Sequence, residues 1–254
     1  MRPLLTPDEM ASADSATIDS GVSVEVLMER AGRATARLGL ELLGGRYGRR
    51  AVVVCGKGNN GGDGFAAARN LSSEGVAASC VLVADESSIK GAARTHLKRA
   101  RKAGVPVMPY TESVLHKADL VVDAIFGTGF HGAPSGLPAE AIAAINKSGT
   151  PTLAIDIPSG VDGATGRIEG EAVVAHATVA MAAEKLGTAL PPGTLHAGRV
   201  SVADIGIHVP ESSLGRVEAA DVSAILPRRS ADAHKRSVGS VALLGGSAGM
   251  TGAI

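Results

Sequence analysis

The chain's 254 residues are enough for one large α/β domain with a substantial core, or for such a domain with an appendage. Its 25 Lys plus Arg balance 25 Asp plus Glu, which removes any overall attraction to nucleic acid or anionic membrane and leaves function to local constellations. No apolar run approaches the roughly 20 residues that cross a bilayer, no signal-like stretch precedes Asp8 and Glu9, and Cys55 and Cys80 lie in apolar runs that suit buried, reduced thiols, so a soluble cytoplasmic protein is expected.

Thr6-Pro7-Asp8-Glu9 reads as a capping box with proline in the first turn, which predicts a helix running toward Gly21. Val24, Leu27, Met28, Ala31, Leu38 and Leu42 recur at helical spacing, and Gly44-Gly45 closes this second helix. On this reading both helices precede the first strand. Aliphatic and helical stretches then alternate: a strand over 51–55, a helix over 65–73, a strand over 77–83 and a basic helix over 90–103. Strands at 120–125 and 152–157, separated by a helix over 138–147, are near-continuously apolar, as a parallel sheet covered on both faces requires. Shorter strands are expected at 178–181 and 199–202, beyond a glycine-rich loop over 160–170. The rhythm predicts a doubly wound, mostly parallel sheet in a three-layer αβα, Rossmann-like arrangement, with a first domain over residues 1–209. From Pro210 the pattern loosens, and residues 210–239 read as a linker. Residues 240–244 followed by Gly245-Gly246-Ser247-Ala248-Gly249 then look like the first strand and turn of another α/β domain, so 240–254 is expected to be its incomplete start.

Gly56-Lys57-Gly58-Asn59-Asn60-Gly61 follows a strand, precedes a helix and satisfies G-x-G-x-x-G, with Asp85 at the end of the next strand where a ribose-binding acid would sit. A nicotinamide-dependent dehydrogenase fits this pattern, and so does a tight strand-to-helix turn with no ligand. The neighbouring residues favour a ligand. A bare turn needs glycine but not two amides and a carboxylate in succession, as in Asn59-Asn60-Gly61-Gly62-Asp63-Gly64. Backbone N–H groups there suit a phosphate, and the Asn carbonyls suit a cation or a polar ring. No Gly-Lys-Ser/Thr closes the loop, which disfavours a P-loop NTPase.

Two more strand ends converge on this place, because ligands of open parallel sheets bind beyond the carboxyl ends of the strands. Asp123 ends one strand and leads into Ala124-Ile-Phe-Gly-Thr-Gly-Phe-His-Gly132; Asp156 ends another and leads into Ile157-Pro158-Ser159-Gly160. Either Asp alone reads most simply as a turn cap, but two at neighbouring sheet ends point to one crevice. His131, in a glycine loop, reads more simply as a surface residue than as an acid or ligand. Lys57 and Lys185 are candidate phosphate or carboxamide contacts, with a solvated lysine as the plain alternative for each.

At these residues the sequence resembles the NAD(P)H-hydrate epimerase family, the N-terminal module of enzymes that repair hydrated nicotinamide cofactors. The resemblance rests on Leu27-Met-Glu-Arg-Ala-Gly32, Gly56-Lys-Gly-Asn-Asn-Gly-Gly-Asp-Gly64, Val122-Asp-Ala-Ile-Phe-Gly-Thr-Gly129 and Ile155-Asp-Ile-Pro-Ser-Gly-Val-Asp162, in that order. It implies that Asn59, Asn60, Gly61, Gly62 and Asp63, together with Gly127, Thr128, Gly129, Phe130, His131, Gly132 and Ala133, bind the hydrated cofactor, and that Asp156 contacts the reacting nicotinamide end. It further implies that Asn60, Asp123 and Ser159 ligate a potassium ion, an oxygen-only set suited to a hard cation. The tail, His234-Lys-Arg-Ser-Val-Gly239 and Leu243-Leu-Gly-Gly-Ser-Ala-Gly-Met-Thr-Gly252, looks like the start of an ADP-dependent NAD(P)H-hydrate dehydratase domain, whose nucleotide loop and catalytic Asp would lie further on.

The resemblance implies an isomerase that interconverts the R and S epimers of C6-hydrated NADH and NADPH. Inversion there proceeds by loss of the C6 hydroxyl or by ring opening, and either route needs proton transfer, for which Asp156 is the expected acid/base group. The rival readings are the dehydrogenase and a noncatalytic nucleotide-binding module, against which the intact Asn60, Asp123 and Asp156 argue. The amphipathic helix over 24–43 is expected to seat a twin and give a homodimer.

Overall fold

The computed structural model describes residues 1–226, 231–234, 239–242 and 245, so most of the expected second-domain strand and its glycine turn lie outside the described residues. In chain order the elements are β1 (Arg2–Leu5), α1 (Pro7–Asp19), α2 (Val24–Leu43), β2 (Arg50–Cys55), α3 (Asn59–Ser73), β3 (Ala77–Leu82), α4 (Gly91–Lys102), β4 (Val107–Pro109), β5 (Leu120–Ala124), α5 (Leu137–Ser148), β6 (Thr152–Ile155), β7 (Ala177–Met181), β8 (Glu184–Lys185), α6 (Leu186–Ala189), α7 (Gly193–Ala197), β9 (Arg199–Ala203), β10 (Gly215–Arg216) and α8 (Ala219–Ile225). None of the described helices is long and apolar enough to cross a membrane.

Seven strands pair in parallel in the order β4-β3-β2-β5-β6-β7-β9. Their side chains alternate between two buried faces, which is why the strands read as continuous apolar runs. Val53, Leu120 and Leu153 point to the core shared with α2, α3 and α4, whereas Val52, Val54 and Val121 point to the core shared with Ile142 and Ile145 of α5. From β2 the chain winds outward through β3 and β4, then returns to β5 on the other side of β2. That reversal opens a crevice at the carboxyl ends of β2 and β5, where a doubly wound sheet binds its ligand.

Local chemistry fixes the flanking helices. Thr6 Oγ1 accepts from the Glu9 amide at 3.3 Å while the Glu9 carboxylate accepts from the Thr6 amide at 2.8 Å, closing the capping box of α1. The stripe of α2 containing Leu27, Met28, Ala31 and Leu38 is buried within the chain's own core, so this face is occupied and does not seat a twin.

Three sequence expectations need correction. First, a strand does precede the helices: β1 pairs in parallel with β8, Leu4 opposite Glu184 and Leu5 opposite Lys185, and β10 completes a three-stranded sheet. A four-residue strand whose partner is distant in sequence leaves no local signal. Second, α3 begins at Asn59 and not at Phe65, so Asn59 to Gly64 form the first turns of a helix. Their glycines lower helix propensity and hide this, but packing outweighs it. Third, the stretch read as linker contains β10 and α8, the latter started by a capping box between Glu218 and Asp221. The chain divides into two compact units, Pro3–Arg216 and Met1–Arg2 with Val217–Ile254; in the latter, the Met1 amino group pairs with Asp221 and Arg2 Nε lies 3.6 Å from Glu218.

Candidate active site

The crevice deepens into a cavity of about 610 Å³, walled by α1 and α2 on one side and by the first turn of α3, the segment after β5, and Asp156, Met181 and Lys185 on the other. Glycine brings these walls together. A Cβ at Gly56 would collide with the Ile125 carbonyl, and one at Gly61 with the Gly56 carbonyl, so the ends of β2 and β5 and the start of α3 meet backbone to backbone. The G-x-G-x-x-G pattern is thus partly a packing signature. Gly58 caps α3 without a side-chain hydrogen bond, which leaves the first amides of the helix open to a ligand.

Asp156 sits at the centre. Its backbone is left-handed, with φ 70°, a conformation that costs an L-residue on the order of 1 kcal/mol and is held here by its amide, which donates to Val179 O at 2.8 Å. The turn aims the carboxylate into the cavity. Oδ1 accepts from the Lys185 ammonium and, at 3.2 Å, from the Met181 amide; Oδ2 accepts from the Thr128 hydroxyl. Lys185 is 1% exposed and also donates to Met181 O at 2.7 Å. It is neither solvated nor a free ligand contact, as the sequence had suggested, but the counter-charge of Asp156. The overlooked β1 pins it through the Leu5–Lys185 register.

Two further carboxyl groups line the cavity. Asp63, on α3, is held well above the usual carboxylate range, first by burial and then by the charges of Asp156 and Asp14, with Lys185 opposing. Asp14, on α1, is raised by burial, Lys185 lowering it and Asp156 raising it. Nothing in the sequence pattern marked Asp14. It faces the cavity from the inward side of α1, one turn after Met10, which lines the cavity too, and beside the buried Ala13 and Thr17.

Asp123, Ser159 and Asn60 form a second, buried cluster, which Asn60 joins to the cavity lining. Asp123 Oδ1 accepts from Ser159 Oγ at 2.6 Å and from the Ile125 amide at 3.2 Å, and Oδ2 accepts from the Ser159 amide at 2.8 Å. Asn60 Nδ2 donates to Phe126 O at 2.7 Å, and the Phe126 amide donates to Ser159 Oγ at 2.9 Å. Burial raises Asp123 to about 6, against the hydrogen bonds from Ser159 and Ile125, which lower it. Asn60 Oδ1 is buried with no hydrogen-bond partner among the described residues. A buried carboxylate met only by neutral donors, beside an unpartnered amide oxygen, fits a hard cation.

Of the other residues singled out by sequence, Lys57, Asn59, Gly127, Thr128, Gly129 and Phe130 line the cavity. Phe130 stacks on Phe126 with ring centroids 4.2 Å apart. Gly61 and Gly62 support the wall from behind, and His131, Gly132 and Ala133 lie outside the cavity lining. His131 is exposed but bonds Asp162 through Nδ1 at 2.8 Å, an interaction that helps hold the Asp162 carboxyl below its usual range against burial, which raises it. Asp85, the ribose-acid candidate of the dehydrogenase pattern, is exposed and lies outside the cavity lining.

The profile of the family described as YjeF-related protein N-terminus matches residues 24–187. The chain is similar to the bifunctional NAD(P)H-hydrate repair enzyme Nnr of Moorella thermoacetica, 43% identical over 99% of this chain and 50% of the relative. It is also similar to the NAD(P)H-hydrate epimerase of Levilactobacillus brevis, 41% identical over 75% of this chain and 87% of the relative. The chain spans about half the length of the bifunctional relatives. The crystal structure of yeast ynu0 shares the fold, with a TM-score of 0.66 and 24% identity over 74% of this chain and 83% of that one.

Proposed function

The chain belongs to the YjeF-related protein N-terminus family, and on that premise we propose that it is an NAD(P)H-hydrate epimerase, an isomerase that interconverts the R and S epimers of C6-hydrated NADH and NADPH. The observation that carries the reading is a carboxylate, Asp156, held by Lys185 and Thr128 at the centre of a cavity with largely apolar walls. Such a group moves protons at a substrate bound in the cavity. The open amides at the start of α3 suit the phosphates of the cofactor, and Phe130 with the 127–129 backbone suits a planar ring. Asn59, Asn60, Gly61, Gly62 and Asp63 and residues 127–133 make up the substrate-binding segments. The test is chromatographic: purified R-epimer hydrate gives S epimer faster with the protein than without it. Incubation with NADH and assorted alcohols or ketones separates the rival dehydrogenase, since only that enzyme changes the cofactor's redox state.

The proposal includes a potassium ion held by Asn60, Asp123 and Ser159, supported by the buried carboxylate and the unpartnered Asn60 oxygen. Bound there, it neutralises Asp123 and ties together the segments that follow β2, β5 and β6. The proposal also includes a homodimer. Its interface must lie away from the buried stripe of α2; Ile18 and Val26, 39% and 42% exposed, offer apolar surface. Light scattering at working concentration checks it, and a monomer removes it. Two buried thiols suit a cytoplasmic setting, and a dehydratase domain is the proposed partner because the bifunctional relatives are about twice as long as this chain.

A further inference from the structure

The cavity holds more acid than its ion pair can neutralise. Asp14, Asp63 and Asp156 arrive from three separate elements to share it with the buried Lys185, and among the described residues Lys185 forms an ion pair only with Asp156. Lys57 also lines the cavity but is exposed, so water screens its charge. Among the described residues Asp63 has neither a hydrogen bond nor an ion pair. Its backbone nevertheless has little freedom: a Cβ at Gly62 would collide with the Met28 side chain, and one at Gly64 would lie 2.6 Å from Ala124 Cβ. These contacts press α3 onto α2 and the sheet on either side of Asp63. Asp63 is half-buried on the cavity wall that Asp14 and Asp156 share, and burial with those two carboxyl groups raises its carboxyl well above the usual range, which favours the neutral acid.

Resting on the epimerase reading, we propose that Asp63 is a second catalytic group, entering the reaction with a proton while Asp156 enters as the carboxylate. In the hydroxyl-loss route the Asp63 proton passes to the C6 hydroxyl, the C6–O bond breaks with its electron pair leaving as water, and the ring-nitrogen lone pair forms a C6=N bond. Water then adds to the other face of C6, the C=N electrons return to nitrogen, Asp156 takes the released proton, and a proton passes from Asp156 back to Asp63 before the next turnover. In ring opening Asp156 takes the hydroxyl proton as the C6–N bond breaks to give an aldehyde, and Asp63 protonates the nitrogen; reclosure on the other face reverses both transfers. Nothing is oxidised or reduced in either route. Asp14 is a positioning residue, because its charge holds the proton on Asp63. Asp14, Asp156, Lys185 and Lys57 are the charged groups that line the cavity with Asp63, and burial with the two carboxylates outweighs Lys185 in the direction of its shift.

The test compares unmodified protein with Asp63→Asn and Asp14→Asn, using purified R-epimer hydrate and subtracting spontaneous conversion. If the unmodified protein does not accelerate conversion, the epimerase reading fails and takes this inference with it. Given acceleration, Asp63→Asn lowers kcat on the order of 100 to 10,000-fold while the Kd for the hydrate, by equilibrium dialysis, and Tm stay near their original values. Asp14→Asn removes a negative neighbour, so Asp63 gives up its proton more readily and the alkaline limb of the kcat profile moves to lower pH. Full turnover in Asp63→Asn, or a loss confined to Kd or Tm, overturns the catalytic role; an unmoved limb in Asp14→Asn overturns that of Asp14.

Discussion

Asp123, next to last in β5, and Asp156, just past the end of β6, stand near the carboxyl ends of adjacent parallel strands, yet the molecule treats them oppositely. Asp123 is buried, met among the described residues by the Ser159 hydroxyl and two amides and by no positive side chain, and burial pushes its carboxyl up to about 6. Asp156 opens on the cavity and has the buried Lys185 as counter-charge. A strand-end aspartate is therefore not a role in itself. In the proposed reading, counter-charge and access to the cavity separate an aspartate that would hold a cation from one that would move a proton.

The comparison breaks most visibly at Lys185. In Lys185→Met the Asp156 carboxylate loses its buried partner, which is expected to cost about 3 to 5 kcal/mol of stability by denaturant titration, together with most turnover. Asp123 has no lysine to lose, so the potassium response of the remaining folded protein should persist. A smaller effect separates the two sites from the other side. Potassium at about 100 times its Kd should raise the stability of the unmodified protein by about 2.7 kcal/mol, whereas Asp123→Asn should show little of this rise and Asp156→Asn should keep it. Equal responses in all three proteins would remove the cation from the Asp123 site. Thr128→Val takes one hydrogen bond from Asp156 and should slow turnover roughly tenfold, about 1.5 kcal/mol, with the potassium response unchanged.

Asp123 and Asp156 could be located from sequence because β5 and β6 are apolar runs, and each Asp stands in or directly after its run near the strand's carboxyl end. The glycine signature was equally visible, but its physical meaning was divided: Gly56 and Gly61 serve backbone approach, while Asn59, Asn60 and Asp63 supply the polar groups. Lys185 could be seen but not interpreted. Its burial depends on β8 pairing with β1, a contact between distant short segments that no periodicity announces. Asp14 was invisible for a related reason, since it is a lone acid on the inward face of α1 beside Met10, Ala13 and Thr17, and only the three-dimensional packing shows that this face borders the cavity. The rest of the chain reads less directly: β10 and α8 are too short for a hydrophobic period to show.

The central claim is that Asp156 moves the proton, and the kcat of Asp156→Asn at saturating hydrate tests it most directly. Asn keeps the size and much of the hydrogen bonding but cannot exchange a proton near neutral pH, so turnover per folded molecule should fall on the order of 100 to 10,000-fold with hydrate binding largely retained. Interconversion of the epimers at the unmodified rate, with only thermal stability reduced, would make Asp156 a structural residue and contradict the account.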